Sequence, residues 1–256
     1  MNEKAAPGSD PDPVVIEVTV GAPIETVWAH LRDPELIERW HGWLADGLDS
    51  EIAYIYHKHA RESETPYVLE LNRGSADAWV DGGDRFELAE ADGATVVRIT
   101  RASRGGDEMW DAWYDDITEG WTSFLNQLRF AVEVHPDAMR RTVFLNADGA
   151  ELPSVRAALG LSGVAVGQTY VAKSVGELDL RGQGWYVSEH QVGVTVDRYG
   201  PGLLIAADKP DQRGASKGAM AIVTTYGQDD PDFARTVQQW GDWWKTQSPD
   251  AEGPAY

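Results

Sequence analysis

Two hydrophobic periodicities follow one another along the chain and predict a mixed α and β protein. Residues 14–20 form a β-branched run between a proline and a glycine, which is typical of a strand. Apolar side chains then recur at spacings of three and four residues, at Ile24, Val27, Trp28 and Leu31. That spacing places them on one face of a helix. The sequence therefore predicts a strand followed by an amphipathic helix.

The next segment combines a second short helix with further strands. Asp33 and Pro34 are residue types that favour the N-cap and the first position of a helix. Over residues 52–60, apolar and aromatic side chains occupy both sets of alternating positions. This pattern predicts a strand that is buried on both faces. Residues 67–71 predict another strand, and residues 79–80 a short one.

A hairpin is predicted around Asp92 and Gly93, because this pair favours a two-residue type I′ turn. A turn of that type fixes the register of the strands on either side. The predicted pairs are Leu88 with Val97, Phe86 with Ile99, and Glu87 with Arg98. The first two pairs share an apolar face, and the third is an opposite-charge pair on the other face. Hydrophobic pattern and turn chemistry therefore indicate the same register.

A long amphipathic helix is predicted over residues 111–133, after a glycine-rich link. Its apolar side chains repeat at helical spacing: Trp113, Ile117, Trp121, Phe124, Leu125, Leu128 and Val132. Several acidic residues crowd its first half, where the helix dipole favours negative charge. We interpret them as a solvated acidic face rather than as an acid–base pair.

The order of elements recurs in the second half of the chain. Strands are predicted over residues 142–146, 168–173, 185–190, 192–199, 203–207 and 219–225. A short helix is predicted over residues 153–159, and a final helix begins at Asp230 and Pro231. The recurrence predicts a degenerate second copy of the first unit. The predicted boundaries are a flexible tail at 1–12, a first domain at 13–136, a second domain at 140–248 and a flexible tail at 249–256.

Composition excludes several classes of function. The 22 lysines and arginines stand against 42 aspartates and glutamates, so the formal net charge is −20. Such a surface repels phosphate backbones and anionic lipids, which argues against nucleic-acid binding and membrane docking. The chain has no cysteine, so disulfides and thiolate sites are excluded. No apolar run is long enough to insert into a membrane, and no secretory signal is visible, so we expect a cytoplasmic protein.

A family resemblance is carried by three segments and three single residues: residues 14–28, 84–99 and 120–128, with Asp33, Pro34 and Trp40. This pattern resembles the SRPBCC or START-like superfamily, and within it the branch named for the homologue of a heat-shock chaperone's ATPase activator. The resemblance covers residues 12–135 and implies an α+β helix-grip fold. In that fold a curved antiparallel sheet wraps around a long C-terminal helix, and the cavity between them often takes apolar small molecules. Residues 40–43 depart from many members, so no member's ligand specificity is transferred.

Candidate ligand-binding residues follow from the aromatic content, since 11 tryptophans are present and flat side chains line apolar pockets. The predicted set is Trp43, Tyr54, Tyr56, Trp79, Trp113 and Ile117. Trp28, Trp121 and Trp240 fit core stripes and are interpreted as packing residues. His57 and His59 lack a third ligand at a telling distance, so no metal site is predicted, and no cofactor or catalytic set is expected. His41 is the histidine best placed to flank a pocket mouth.

Three functions remain open from the sequence. The first is non-catalytic binding of an apolar small molecule inside a helix-grip unit. The second, suggested by the family branch, is an interaction with a protein partner that regulates a chaperone or another ATPase. The third is a cyclase-like or hydrolase-like enzyme that uses the same cavity. The oligomeric state is left open.

Overall fold

A computed structural model describes residues 13–74, 78–103, 108–148, 154–172, 179–209 and 218–256, with side chains of the long helix described from Tyr114 onwards. The first part of the chain contains β1 (Val15–Val20), α1 (Ile24–Arg32), α2 (Pro34–Glu38), α3 (Leu48–Ala53), a π-helical turn (Tyr54–Lys58), β2 (Ala60–Glu62), β3 (Val68–Leu71), β4 (Arg85–Ala91), β5 (Ala94–Thr100) and α4 (Glu108–Val134). The predicted cap of α2 is confirmed, because a side-chain oxygen of Asp33 accepts the Glu35 N–H at 3.0 Å.

The hairpin register is confirmed. β4 and β5 pair Leu88 with Val97, Phe86 with Ile99 and Glu87 with Arg98. Asp92 and Gly93 both have positive φ, at 50° and 82°, as a type I′ turn requires. The sheet has the order β1-β5-β4-β3-β2 and is antiparallel throughout.

The prediction of a strand over residues 52–60 is wrong. Most of this segment belongs to α3 and the π-helical turn, and the strand β2 begins only at Ala60. Leu48, Ile52 and Tyr56 are buried and lie four residues apart, which is a helical spacing. Aromatic and β-branched side chains favoured the strand, but burial of this stripe favours the helix.

The short strand predicted at residues 79–80 is also absent from the described structure. There the Val80 carbonyl accepts the backbone N–H of Arg73, which follows β3, at 3.0 Å, and two backbone N–H groups bond to a nearby side chain. The amide oxygen of Asn72 accepts the N–H of Val80 at 2.8 Å and the N–H of Gly74 at 2.9 Å. Such local side-chain bonds compete with strand pairing.

The second part of the chain contains β6 (Arg140–Asp148), α5 (Val155–Ala158), β7 (Thr169–Val171), β8 (Arg181–Val187), β9 (Gln191–Val196), β10 (Gly202–Lys209), β11 (Gly218–Tyr226) and α6 (Asp230–Gln247). Its strands form an antiparallel sheet in the order β6-β11-β10-β9-β8-β7. In both sheets the first strand lies beside the last strand, and the remaining strands follow in reverse chain order. The α+β helix-grip class is therefore confirmed: each antiparallel sheet is followed by a long helix that packs on it.

The long helix α4 lies between the two sheets. Leu125, Leu128 and Val132 pack into the core under the first sheet. Phe130 packs instead against Leu203, Ile205 and Ile222 of the second sheet. The opposite face of the second sheet is covered by the aromatic stripe of α6, which includes Phe233, Trp240 and Trp244. Strands β10 and β11 are therefore buried on both faces.

Aromatic side chains fill the space between α4 and the first sheet. Trp40, Tyr56 and Phe86 are fully buried there, with Trp121 edge-on to Phe86 at 5.1 Å between ring centroids. The family resemblance implies a ligand cavity in this place. The residues that are present pack against one another instead, in the T-shaped geometry that aromatic rings prefer.

Flexible tails are predicted at both ends of the chain. Residues 1–12 lie outside the described residues. After Ser248, where a flexible tail is predicted, Ala255 exchanges two backbone hydrogen bonds with Phe144 of β6, at 2.8 and 3.0 Å. None of the helices in the described part of the chain combines enough length with enough hydropathy to span a bilayer.

A candidate ligand cavity between the long helix and the second sheet

A cavity of about 620 Å³ opens on the side of α4 that faces the second sheet. Three parts of the chain enclose it: the first half of α4, the segment from His41 to Ile55, and strands β6, β10 and β11. Its lining consists of His41, Trp43, Glu51, Ile55, Asp116, Ile117, Glu119, Gly120, Trp121, Phe124, Phe144, Asn146, Ala207, Asp208, Lys209, Met220 and Ile222. The volume lies within the range of about 300–1,000 Å³ that is usual for small-molecule sites.

One face of α4 forms the longest wall. Ile117, Gly120, Trp121 and Phe124 lie three or four residues apart, so they point to the same side of the helix. Gly120 leaves this wall open, because a Cβ atom there would meet nothing closer than the Phe124 ring at 3.8 Å. A helix-interior glycine costs about 0.5–1 kcal/mol relative to alanine. Its presence at this position keeps space in the cavity.

A stacked aromatic pair joins the two halves of the chain across the cavity. The rings of Trp43 and Phe144 lie 3.6 Å apart between centroids, with 6° between their planes. Together with Asn146, both side chains also line a second cavity of about 550 Å³ next to the C-terminal residues. The stack is therefore a partition between two cavities.

Arg140 fixes the loop that carries His41 and Trp43. Its guanidinium is buried and donates hydrogen bonds to the carbonyl oxygens of Glu38 at 3.0 Å, Gly42 at 3.2 Å and His41. Burial lowers the pKa of Arg140 to about 10, so the group remains protonated at neutral pH. The strand β6 thereby holds the loop that carries His41 and Trp43.

Three further hydrogen bonds hold the same loop. The Gln127 amide of α4 donates to the carbonyl oxygens of Trp40 and Gly42, each at 3.0 Å. The N–H of Leu44 donates to the Thr142 hydroxyl of β6 at 2.7 Å. The position of His41 and Trp43 is thus set from both α4 and β6.

A hydrogen-bond chain runs from the core to the cavity through His41. Burial raises the pKa of Tyr56 well above its ordinary value, so its hydroxyl keeps its proton and donates to His41 Nδ1 at 3.0 Å. Burial also lowers the pKa of His41, which makes the ring neutral at pH 7. A neutral ring that accepts at Nδ1 carries its proton on Nε2, which donates to Glu51 Oε1 at 3.1 Å. Both ring nitrogens are therefore occupied.

Glu51 is the end of this chain and lies at the mouth of the cavity. Its side chain is 55% exposed, whereas that of His41 is 1% exposed. The hydrogen bond from His41 lowers the pKa of Glu51 and outweighs burial, which acts in the opposite direction. Glu51 is therefore ionised at neutral pH.

The pKa of Glu119 is shifted in the opposite direction to that of Glu51. Glu119 is half-buried on α4, and burial raises the pKa of its carboxyl group. One carboxyl oxygen accepts the Gln191 amide N–H at 2.6 Å, and the Gln191 amide oxygen accepts the hydroxyls of Tyr186 at 2.6 Å and Ser123 at 2.8 Å. This network anchors Glu119 to the second sheet.

We expect Glu119→Gln to stabilise the fold at neutral pH. A carboxyl group with a raised pKa in the folded state binds protons more tightly there than in the unfolded chain, so its contribution to stability falls as pH rises above about 4.5. Glutamine keeps an acceptor for Gln191 without a charge. Chemical unfolding of both proteins between pH 4 and 8 should show a gain for the variant at pH 7 that disappears below the ordinary glutamate pKa. A constant difference across this range would contradict the assignment.

Two other charged groups of the lining are neutralised in pairs. Asp208 accepts hydrogen bonds from Arg156 at 2.7 Å and from Ser154 at 2.7 Å. Lys209 is paired with Asp148 at 2.8 Å. In the described part of the chain, no group of three or more histidines and carboxylates is placed to hold a metal ion.

The structure brings only part of the predicted site together. Trp43 and Ile117 line the cavity. Tyr56 is fully buried behind His41, and Tyr54 is 47% exposed and packs on His59 at 3.9 Å between ring centroids. Their assignment to one strand face fails because that segment is helical. The side chain of Trp113 lies outside the described residues.

Trp79 lies on the surface, away from this cavity. Its indole N–H donates to Asp81 at 2.8 Å, and the guanidinium of Arg61 lies over its ring at 4.1 Å from the centroid. Its aromatic side chain is the residue type that predicts an apolar site. The same side chain serves here in a loop that local polar contacts stabilise.

Several lining residues were not predicted. Trp121 was interpreted as a packing residue, and Phe124 was named only as part of the helical stripe. Both side chains belong to the core and also line the cavity. Phe144 and Ile222 alternate with buried neighbours on strands, which gives no sign that their face meets a cavity. Glu51 precedes the segment that was predicted as a strand, and its place on α3 beside His41 could not be expected from that prediction. His41 lines the cavity but is almost fully buried, and Glu51 lies between it and the cavity mouth.

Comparison with known proteins finds no matching family profile and no matching curated protein. The solved structures that are similar to the chain include the following three. DynU16, from the dynemicin biosynthetic locus, is 14% identical, with 93% of this chain and 96% of DynU16 covered and a TM-score of 0.28. CalU16 from Micromonospora echinospora is 19% identical, with 46% and 73% covered and a TM-score of 0.31. The di-domain ARO/CYC protein StfQ of the steffimycin biosynthetic pathway is 10% identical, with 93% and 98% covered and a TM-score of 0.32.

Proposed function

We propose that this protein binds an apolar small molecule in the cavity between α4 and the second sheet. The observation that carries the proposal is a cavity of about 620 Å³ with aromatic walls from both halves of the chain. A ligand that buries about 200 Å² of apolar surface at about 25 cal/mol per Å² gains about 5 kcal/mol before the costs of association. Trp43, Trp121 and Phe124 supply flat surfaces for a planar ligand.

The proposal includes two related helix-grip units, at residues 13–136 and 140–248. The shared rule of strand order in the two sheets supports this duplication. In this arrangement the first unit has a filled core, and the ligand site lies where the two units meet. A role in regulating a chaperone or another ATPase stays a prediction from the family resemblance.

Replacing Trp43 with alanine is expected to weaken binding of a neutral aromatic probe, 2-naphthalenemethanol, by about tenfold, because one aromatic wall is lost. The dissociation constant is measured by isothermal titration calorimetry, with circular dichroism as a check on folding. Trp79→Ala is the matched control, since it removes the same side chain outside the cavity and should bind as the parent protein does. Equal weakening by both variants, or no binding to the parent protein, would contradict the proposal.

A second candidate function is acid–base catalysis in the same cavity. Glu51 and Glu119 both line it, and their environments shift their pKa values in opposite directions. Such a pair suits one group acting as base and the other as acid. Turnover of a bound ligand, lost in both Glu51→Gln and Glu119→Gln, would favour the enzyme over the binding protein.

A further inference from the structure

We propose that the ligand of this cavity is a cation, namely an aromatic or similarly apolar amine whose positive charge lies against Glu51. The inference rests on the proposed function and names the chemical class of the ligand. It follows from the balance of charge in the lining, from the hydrogen-bond chain that ends on Glu51, and from the aromatic faces beside it.

The charge balance in the described lining favours a positive ligand. Lys209, the lining lysine, is neutralised by Asp148 at 2.8 Å, and Asp208 is neutralised by Arg156 at 2.7 Å. Asp116 has an interaction of its own, so its negative charge is not counted as unbalanced. Glu51 and Glu119 remain, and no described cation in the lining is left to balance them.

The hydrogen-bond chain makes Glu51 a fixed negative end point. Tyr56 donates to His41, and His41 donates to Glu51, so each step directs a proton donor toward the carboxylate. Only one carboxylate oxygen accepts from His41, which leaves the second oxygen for a ligand. His41 is itself held in place, since its ring packs on Phe124 at 4.8 Å and its carbonyl oxygen accepts from Arg140.

Aromatic surfaces complete the recognition of a cation. Trp43, Trp121 and Phe124 line the same cavity, and the faces of such rings attract ammonium groups. An anionic ligand would meet two carboxyl groups without a free lysine or arginine among the described lining residues. The protein's net charge of −20 also raises the local concentration of cations and lowers that of anions.

The test compares three naphthalene probes of nearly equal shape that differ in charge. They are 2-naphthylmethylamine, which is protonated at pH 7, neutral 2-naphthalenemethanol, and anionic 2-naphthoate. We expect the amine to bind about tenfold more tightly than the alcohol, and the carboxylate to bind most weakly, in calorimetric titrations at 0.15 M salt. Glu51→Gln keeps the acceptor for His41 and should remove the preference for the amine, while the affinity for the alcohol stays unchanged.

A matched control separates local recognition from bulk charge. Glu62→Gln removes the same charge from an exposed glutamate that pairs with Arg32 outside the cavity, so it should leave the amine preference intact. Equal affinities of the parent protein for amine and alcohol would overturn the inference and leave the proposed function standing. Loss of preference in both variants alike would also overturn it. If none of the probes binds, the proposed function and the inference both fail.

Discussion

Replacing Gly120 with leucine is expected to weaken binding of the naphthalene probes by about a hundredfold or more, while the chain remains folded. A side chain at this position enters the cavity, since only the Phe124 ring lies within 4 Å of its Cβ position. Occupying the space that the ligand needs is an effective way to block an apolar site. Leucine also has a much higher helix propensity than glycine, so α4 should tolerate it.

Gly120→Ala is the control for this variant. A single methyl group removes the conformational freedom of glycine and should raise the free energy of unfolding by about 0.5–1 kcal/mol. It occupies far less of the cavity and should retain most of the affinity. Calorimetric titration measures the binding of both variants, and urea unfolding measures their stability. Parent-like affinity in the folded leucine variant would show that the probes bind elsewhere.

Replacing Arg140 with methionine is expected to lower the free energy of unfolding by about 3–5 kcal/mol. The guanidinium satisfies the carbonyl oxygens of Glu38, His41 and Gly42, and methionine leaves these buried acceptors without that donor. The loop that carries His41 and Trp43 should then lose its fixed position. Probe affinity should fall together with stability, because the cavity depends on this loop.

The neighbouring arginine provides a matched control. Arg141 is partly exposed, pairs with the highly exposed Asp230 at 2.8 Å and lies over the ring of Phe233. Arg141→Met should therefore cost only about 1 kcal/mol. Urea unfolding at pH 7 measures both changes. Equal losses in the two variants would contradict the role of Arg140 as the anchor of this loop.

Local features of the fold could be predicted from the sequence because interactions between residues that are close in the chain determine them. The pair Asp92 and Gly93 adopts positive φ readily, and the alternation on either side allows only one register. The cap at Asp33 needs only its neighbours in the chain. The segment at 52–60 was misassigned because its residue types favour strands, while its four-residue spacing of buried positions favours a helix.

The site was harder to predict because its walls come from distant parts of the chain. A helical stripe shows that Trp121 is apolar, but it does not show that α4 is covered by a second sheet as well as the first. The stack of Trp43 on Phe144 and the contact of His41 with Arg140 exist only after β6 has packed beside the loop that carries His41 and Trp43. The residue types of these four side chains do not predict that they contact one another.

The most direct test of the account is a crystal structure of the protein with bound 2-naphthylmethylamine. We expect the naphthalene ring between Trp43 and the Ile117–Phe124 face of α4, with its ammonium group beside Glu51. A probe bound between α4 and the first sheet, near Phe86, would contradict the account.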